Sequence, residues 1–248
     1  MSHPVREGFW KGVSRHPFGV LMLTLFLMIA LAPSTSLLTA AFPDYGGIKV
    51  LAPLSLLVVG ASMLALWRRA RHHATHMSVG VGLILLLMLG SVISHHSIVF
   101  SQIVAQILFL GYVLKVVAYS VAKAKTITND ILCGAVCVYL LFGVLSGFVF
   151  LLIEFFIPGS FVIANLTQTP LQEQTLFLHD PGWILYFSFV TLTTVGYGDV
   201  IPGNAIARSA AVLVAVIGQV LLMVQIARLV GLHVAQGADS KSKGEGGR

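Results

Sequence analysis

The feature that most constrains this chain is a succession of six apolar runs with almost no charge inside them, at Phe18–Phe42, Ile48–Leu66, Met77–Ile93, Ile98–Tyr119, Ile131–Ile153 and Ala205–Ala235. At a helical rise of about 1.5 Å per residue, a run of about twenty residues spans a hydrocarbon core roughly 30 Å thick. Inside such a core every backbone polar group has to be satisfied within its own segment, so the runs are expected as helices. Composition agrees, because 57% of the 248 residues are hydrophobic and 10% are charged, whereas an average soluble domain carries about 25% charged residues. The expected fold class is an all-α membrane protein with six transmembrane helices.

The charges orient it. Arg6, Lys11, Arg15, Arg68, Arg69, Arg71, Lys123, Lys125, Lys241, Lys243 and Arg248 all fall in segments on one side of the proposed membrane. The other side holds Asp44, Glu154, Glu173, Asp180 and Asp199 against only Lys49 and Arg208. This is the positive-inside pattern, which makes the first side and both termini cytoplasmic. The formal net charge of +6 is distributed for a lipid bilayer and argues against nucleic acid as a partner. A multi-pass protein of a bacterial inner or plasma membrane is the expectation.

Residues 1–17 read as a cytoplasmic N-terminal segment, 18–128 as a four-helix membrane domain, 129–235 as a second membrane unit and 236–248 as a Gly-, Ser- and Lys-rich tail expected to be disordered. The basic start, the apolar core and Thr39-Ala40-Ala41 also fit a secretory signal. A retained first helix is preferred, because apolar character resumes after Pro33 and lengthens the run. In the second unit, Thr128-Asn129-Asp130 has the form of a cap before an outer helix over 131–153, which Glu154 closes on the outer side. Residues 154–180, with Pro158-Gly159 and Pro170, read as an irregular extracellular turret. Its Asn165-Leu166-Thr167 matches a glycosylation sequon, a pattern too short to carry weight.

Asp180-Pro181-Gly182 is an N-cap residue followed by proline at the first helical position. The run that it opens, 181–193, is about three turns, too short to span, and is expected to be a re-entrant helix. Thr193-Thr194-Val195-Gly196-Tyr197-Gly198-Asp199 follows, then an outer turn at Ile201-Pro202-Gly203-Asn204, then the long sixth run over 205–235. Gly196 and Gly198 take positive φ at little cost. Val195 is stiff, and Tyr197 is large enough to pack outward and brace the loop. Thr194 adds a hydroxyl at the inner end.

From Pro181 to about His233 the chain resembles the pore module of tetrameric potassium channels, especially compact prokaryotic members, whose selectivity filter is TVGYG. The resemblance implies that the carbonyls of Thr194, Val195, Gly196 and Tyr197, with the Thr194 hydroxyl, replace the hydration shell of K+ as successive sites. The backbone must then alternate so that successive carbonyls point to one side, with Gly198 completing the motif. One loop offers one carbonyl per level, so a ring of four requires a homotetramer. Gly218 lies where such channels place the hinge of the inner helix, and it is equally readable as a close helix contact. Gly218, Leu222 and Ile226 share one stripe, with Gln219 and Met223 beside it, and this face is expected to line the cavity and gate. Several prokaryotic members carry a glutamate where this chain has Val190, so filter inactivation through that carboxylate is not expected. Tyr186 and Trp183 are the remaining polar handles behind the loop. Tyr186 is the expected hydrogen-bond partner of Asp199, and Val190 and Thr193 are expected to support the loop.

Voltage-gated members also place four helices before the pore, but their fourth helix carries a base at every third position, each contributing about 2.3 kcal/mol per 100 mV. Here the fourth run has Lys115 alone. Voltage sensing is therefore not expected, and Lys115 is expected to reach for the interface. Cys133 and Cys137, spaced i, i+4, read as packing residues. His72, His73, His76, His95 and His96 read as interfacial side chains.

No enzyme constellation is visible, and no organic cofactor is expected; K+ is the permeant ion. The function that follows is passive potassium conduction. The competing readings are a non-selective cation channel on the same scaffold, a subunit of an energy-coupled uptake system, and a non-conducting regulatory subunit. About a dozen residues follow the sixth run, so no appended ligand domain is expected, and an unknown gating ligand or protein stays open.

Overall fold

The computed structural model describes residues 17–31, 59, 60, 62, 80, 82, 96–164 and 182–245. All but residues 59, 60, 62, 80 and 82 of the second and third apolar runs, the histidines at 72, 73, 76 and 95, the sequon, and the Asp180-Pro181 cap lie outside the described residues, as do both extreme ends. Among the described residues the elements follow in order: α1 Pro17–Leu31, α2 His96–Lys123, α3 Asn129–Phe156, β1 Phe161–Ile163, α4 Gly182–Leu192, β2 Val200–Pro202 and α5 Ala205–Glu245. Among the described residues α2, α3 and α5 are long and apolar enough to cross a membrane, while α1 and α4 are shorter.

The hub is α3, against which α1, α2, α4 and α5 all pack. Its glycines explain how it takes so many neighbours. A Cβ at Gly134 would meet the Phe18 ring of α1 at 2.9 Å and Val121 of α2 at 2.9 Å. One at Gly143 would lie 2.5 Å from the Phe189 ring, and one at Gly147 3.0 Å from Leu185, both on α4. Missing side chains along one helix thus make room for three others, as small residues do where membrane helices approach closely. The Thr128 hydroxyl accepts from Ile131 N at 3.3 Å, the expected cap of α3. The Asp130 carboxylate beside it accepts from Phe18 N at 3.0 Å, which fixes the start of α1 to the start of α3. Cys137 is a buried free thiol whose Sγ donates to Phe18 O at 3.3 Å, and Cys133 is also free.

The expected turret is more ordered at its start than the sequence suggests. α3 continues through Phe156, a turn follows, and β1 pairs antiparallel with β2, Phe161 opposite Pro202 and Ile163 opposite Val200. The segment after the loop, expected as a turn, therefore begins as a strand. Glu154, expected to close α3 among outer acids, is fully buried at 0% exposure. Its carboxylate accepts from Gly159 N at 2.8 Å and Phe161 N at 3.0 Å. A buried carboxylate persists where amide donors satisfy it, and here those donors belong to the turn that delivers β1.

The last helix also departs from expectation. α5 runs to Glu245, so 236–245, expected as a disordered tail, are helical in the structure. That stretch contains no proline, and extending an existing helix avoids the cost of nucleation.

Candidate functional site

The site is the Thr193–Asp199 loop between α4 and β2. α4 is seated on α3 by shape and by two hydrogen bonds. Ser188 Oγ donates to Gly143 O at 2.7 Å, and Tyr139 OH on α3 donates to Leu192 O, the last residue of α4, at 3.2 Å. Phe150, Phe161 and Phe187 pack with centroids 5.2 to 5.3 Å apart, which joins α3, β1 and α4 in one aromatic cluster. The loop therefore leaves a short helix whose position is fixed on two sides.

Its backbone then alternates. Among residues 194 to 198, positive φ occurs at Thr194 (59°), Gly196 (59°) and Gly198 (77°), and not at Val195 or Tyr197. Glycine takes this conformation freely, but a threonine in it stores roughly 1 to 2 kcal/mol. Val190 O accepts from both Val195 N at 3.0 Å and Gly196 N at 3.4 Å, and Thr194 N donates to Thr191 O at 3.1 Å. The support that Val190 lends is thus its carbonyl. Thr193 Oγ1 donates back to Phe189 O at 2.7 Å, and Thr194 Oγ1 donates to Thr193 O at 2.7 Å, which leaves the Thr194 oxygen free to act as an acceptor.

At the other end, Tyr186 OH donates to Asp199 Oδ2 at 2.6 Å. Asp199 Oδ1 accepts from Val200 N at 3.0 Å, and Asp199 O accepts from Ala164 N at 2.8 Å. Asp199, expected from the sequence as the partner of Tyr186, is half-buried and bound at three atoms. The Tyr186 ring also lies parallel to Tyr197, with centroids 6.4 Å apart and 1° between planes, while Trp183 meets Tyr186 edge-on at 6.0 Å. Tyr197 is nonetheless 71% exposed and Val195 51% exposed within one chain.

The residues picked from α5 distribute differently. Gly218 is buried, and a Cβ there would lie 2.3 Å from Leu192 Cδ1, so the close-contact reading of Gly218 has a concrete partner at the end of α4. α5 passes through Gly218 as one unbroken helix. Leu222, Met223 and Ile226 are exposed and Gln219 is half-buried. Only 17% of the membrane-length window of α5 is buried, against 56% for α3, so α5 presents most of its apolar surface to something outside the single chain.

Arg228 was missed at the sequence level. Its guanidinium donates to Val121 O and Ala122 O, and to Ala124 O at 3.1 Å, capping the C-terminal end of α2 from α5. The signal was present, since a base inside a long apolar run is costly and needs partners. Those partners are backbone carbonyls more than a hundred residues earlier, which no pairing of charges along the sequence displays.

Residues 138–232, from mid-α3 through most of α5, match the profile of a family described as ion channel. No curated protein and no solved structure matches the chain. The matched region contains the whole loop, its helix and its hydrogen-bonded supports. It marks a transport protein of the membrane and not an enzyme.

Proposed function

We propose that the chain is one of four identical subunits of a channel that conducts K+ passively through the loop 194–198. The observation that carries this reading is the alternation of positive φ at Thr194, Gly196 and Gly198. An extended chain turns successive carbonyls to opposite sides, whereas alternation between left- and right-handed backbone brings them to one side. Four such loops around an axis would then offer stacked rings of oxygens, the arrangement by which carbonyls replace the ion's hydration shell. Thr194, Val195, Gly196 and Tyr197 supply the rings, and Thr193, Val190, Tyr186 and Asp199 hold the loop.

Two further features support fourfold assembly. The loop exposes Val195 and Tyr197 in a single chain, and α5 is the least buried of the long helices. Both are accounted for if α5 lines a shared cavity with Gln219, Leu222, Met223 and Ile226 and the loops meet at the axis. A helix end also points at the pathway: α4 stops at Leu192, directly before the loop, and a helix C-terminus carries partial negative charge that favours a cation. The distribution of basic residues supports cytoplasmic termini.

The deciding experiment is ion flux from liposomes containing the purified chain, with K+ and Na+ measured side by side. K+ flux well above Na+ flux is expected. Equal fluxes would favour a non-selective channel, and no flux of either ion would favour a regulatory subunit.

A further inference from the structure

Away from the loop, α2, α3 and α5 line a partly open cavity of about 330 Å³. Its walls are aliphatic, with Ala118, Val138, Leu221 and Val224 among them, and its polar members are Gln225 and Arg228. From Ile217, the first lining residue of α5, to Arg228 the helix rises about 16 Å, roughly half of a 30 Å hydrocarbon core. The cavity therefore has the depth of one leaflet. It is apolar toward the bilayer centre and polar toward the edge where α2 ends and α3 begins.

Two groups at that edge are incompletely served. Gln225 Nε2 is buried without a hydrogen-bond partner. Arg228 spends donors on the carbonyls of Val121, Ala122 and Ala124, and a guanidinium has about five N–H groups in all, so some remain. Carbonyls solvate this cation without neutralising it, and an unneutralised cation beside hydrocarbon is unfavourable. Lys123 and Lys125 flank Ala124 and add to the positive potential.

We propose that this cavity seats an anionic phospholipid, with an acyl chain between α2, α3 and α5 and the phosphate oxygens on Arg228 and Gln225. An apolar chain of leaflet length ending in an anion with acceptor oxygens matches the walls, the depth, the free amide and the unneutralised charge together. Bound there, the lipid bridges the end of α2 to α5 and fixes the lower half of α5 against the helices that precede it.

The test is native mass spectrometry of the full chain extracted from vesicles of mixed phosphatidylcholine and phosphatidylglycerol. The wild-type protein is expected to retain phosphatidylglycerol in preference to phosphatidylcholine. Ala118→Phe, which fills the cavity, should lose the retained lipid. Gln225→Leu leaves the space open and removes only the amide, so it should lower phosphatidylglycerol retention roughly threefold or more. Replacing an unsatisfied polar group by an apolar one of similar shape is nearly neutral for stability, so this variant stays informative if Ala118→Phe does not fold. Equal retention of the two lipids by the wild-type protein, or wild-type retention in both variants, would overturn the proposal. So would loss of subunit association in Ala118→Phe with unchanged lipid per chain, which would assign the cavity to a neighbouring copy.

Discussion

The Tyr186 hydroxyl and the Asp199 carboxylate meet at 2.6 Å across the base of the loop, 13 residues apart. The loop is thus tied to α4 at both ends, by Val190 O at its start and by Tyr186 at its finish. Tyr186→Phe removes the hydroxyl and keeps the ring that stacks on Tyr197. A hydrogen bond to a charged group contributes about 1.5 to 3 kcal/mol, or about tenfold and more in a conformational equilibrium. The variant should fold and assemble, with sustained K+ flux at least about tenfold lower and faster inactivation in planar bilayers. Wild-type conductance and inactivation would remove Tyr186 from the loop's support.

Gly198 has φ of 77° and nothing within 4 Å of where a Cβ would sit in the single chain. The obstacle to a side chain there is conformational and not steric. Gly198→Ala should therefore cost roughly 1 to 2 kcal/mol at the loop while leaving the helices intact. The expected result is loss of K+ over Na+ selectivity in liposome flux with unchanged helical circular dichroism. Installing D-alanine at the same position by semisynthesis should keep selectivity, because the D-residue favours positive φ.

The loop and its tyrosine support were legible in the sequence because their requirements are local. Positive φ asks for glycine, a short helix before it asks for a cap and a stop, and Tyr186 is placed by helical spacing within α4. Glu154 was misread because an acid at the end of an apolar run looks like an interfacial residue. Its burial depends on amides of Gly159 and Phe161 in a turn that carries no periodic signal. β1 and β2 escaped for the same reason, being three residues each and stabilised by pairing across the whole of α4. The glycines of α3 were visible as residues, but which helix each admits is a tertiary fact. Arg228 was overlooked because its partners are carbonyls, which every residue has.

Glu154 is the residue on which the outer end of α3 turns back. Glu154→Gln keeps one acceptor oxygen and replaces the other with a donor that faces an amide N–H. One of the bonds to Gly159 N and Phe161 N must then be lost inside a fully buried site. Leaving a buried donor unsatisfied costs about 1 to 3 kcal/mol. The thermal midpoint in detergent should fall by several degrees. Because β1 pairs with β2 directly after the loop, ion selectivity should weaken as well. Glu154→Leu, which leaves both amides unsatisfied, should be worse than Glu154→Gln in both assays; the reverse order would show that the two hydrogen bonds do not support the outer end of the loop.

Gly218 offers a choice between a hinge in α5 and a contact between α5 and α4. A Cβ at Gly218 would lie 2.3 Å from Leu192 Cδ1 and 3.3 Å from Leu192 O, and Leu192 is itself fully buried. Gly218→Ala must therefore displace Leu192, an overpacking that costs about 1 to 3 kcal/mol. Leu192→Ala removes the clashing methyl groups at the cost of a small cavity. If contact is what Gly218 provides, the single change at 218 lowers the melting midpoint, and the double variant is more stable than the sum of the two single effects predicts, by about 1 kcal/mol or more of coupling. If Gly218 acts only as a hinge, Gly218→Ala changes open probability in single-channel records with little change in melting, and Leu192→Ala does not compensate for it. The 2.3 Å separation favours the first outcome, since the clash is present in the conformation seen whether or not α5 ever bends.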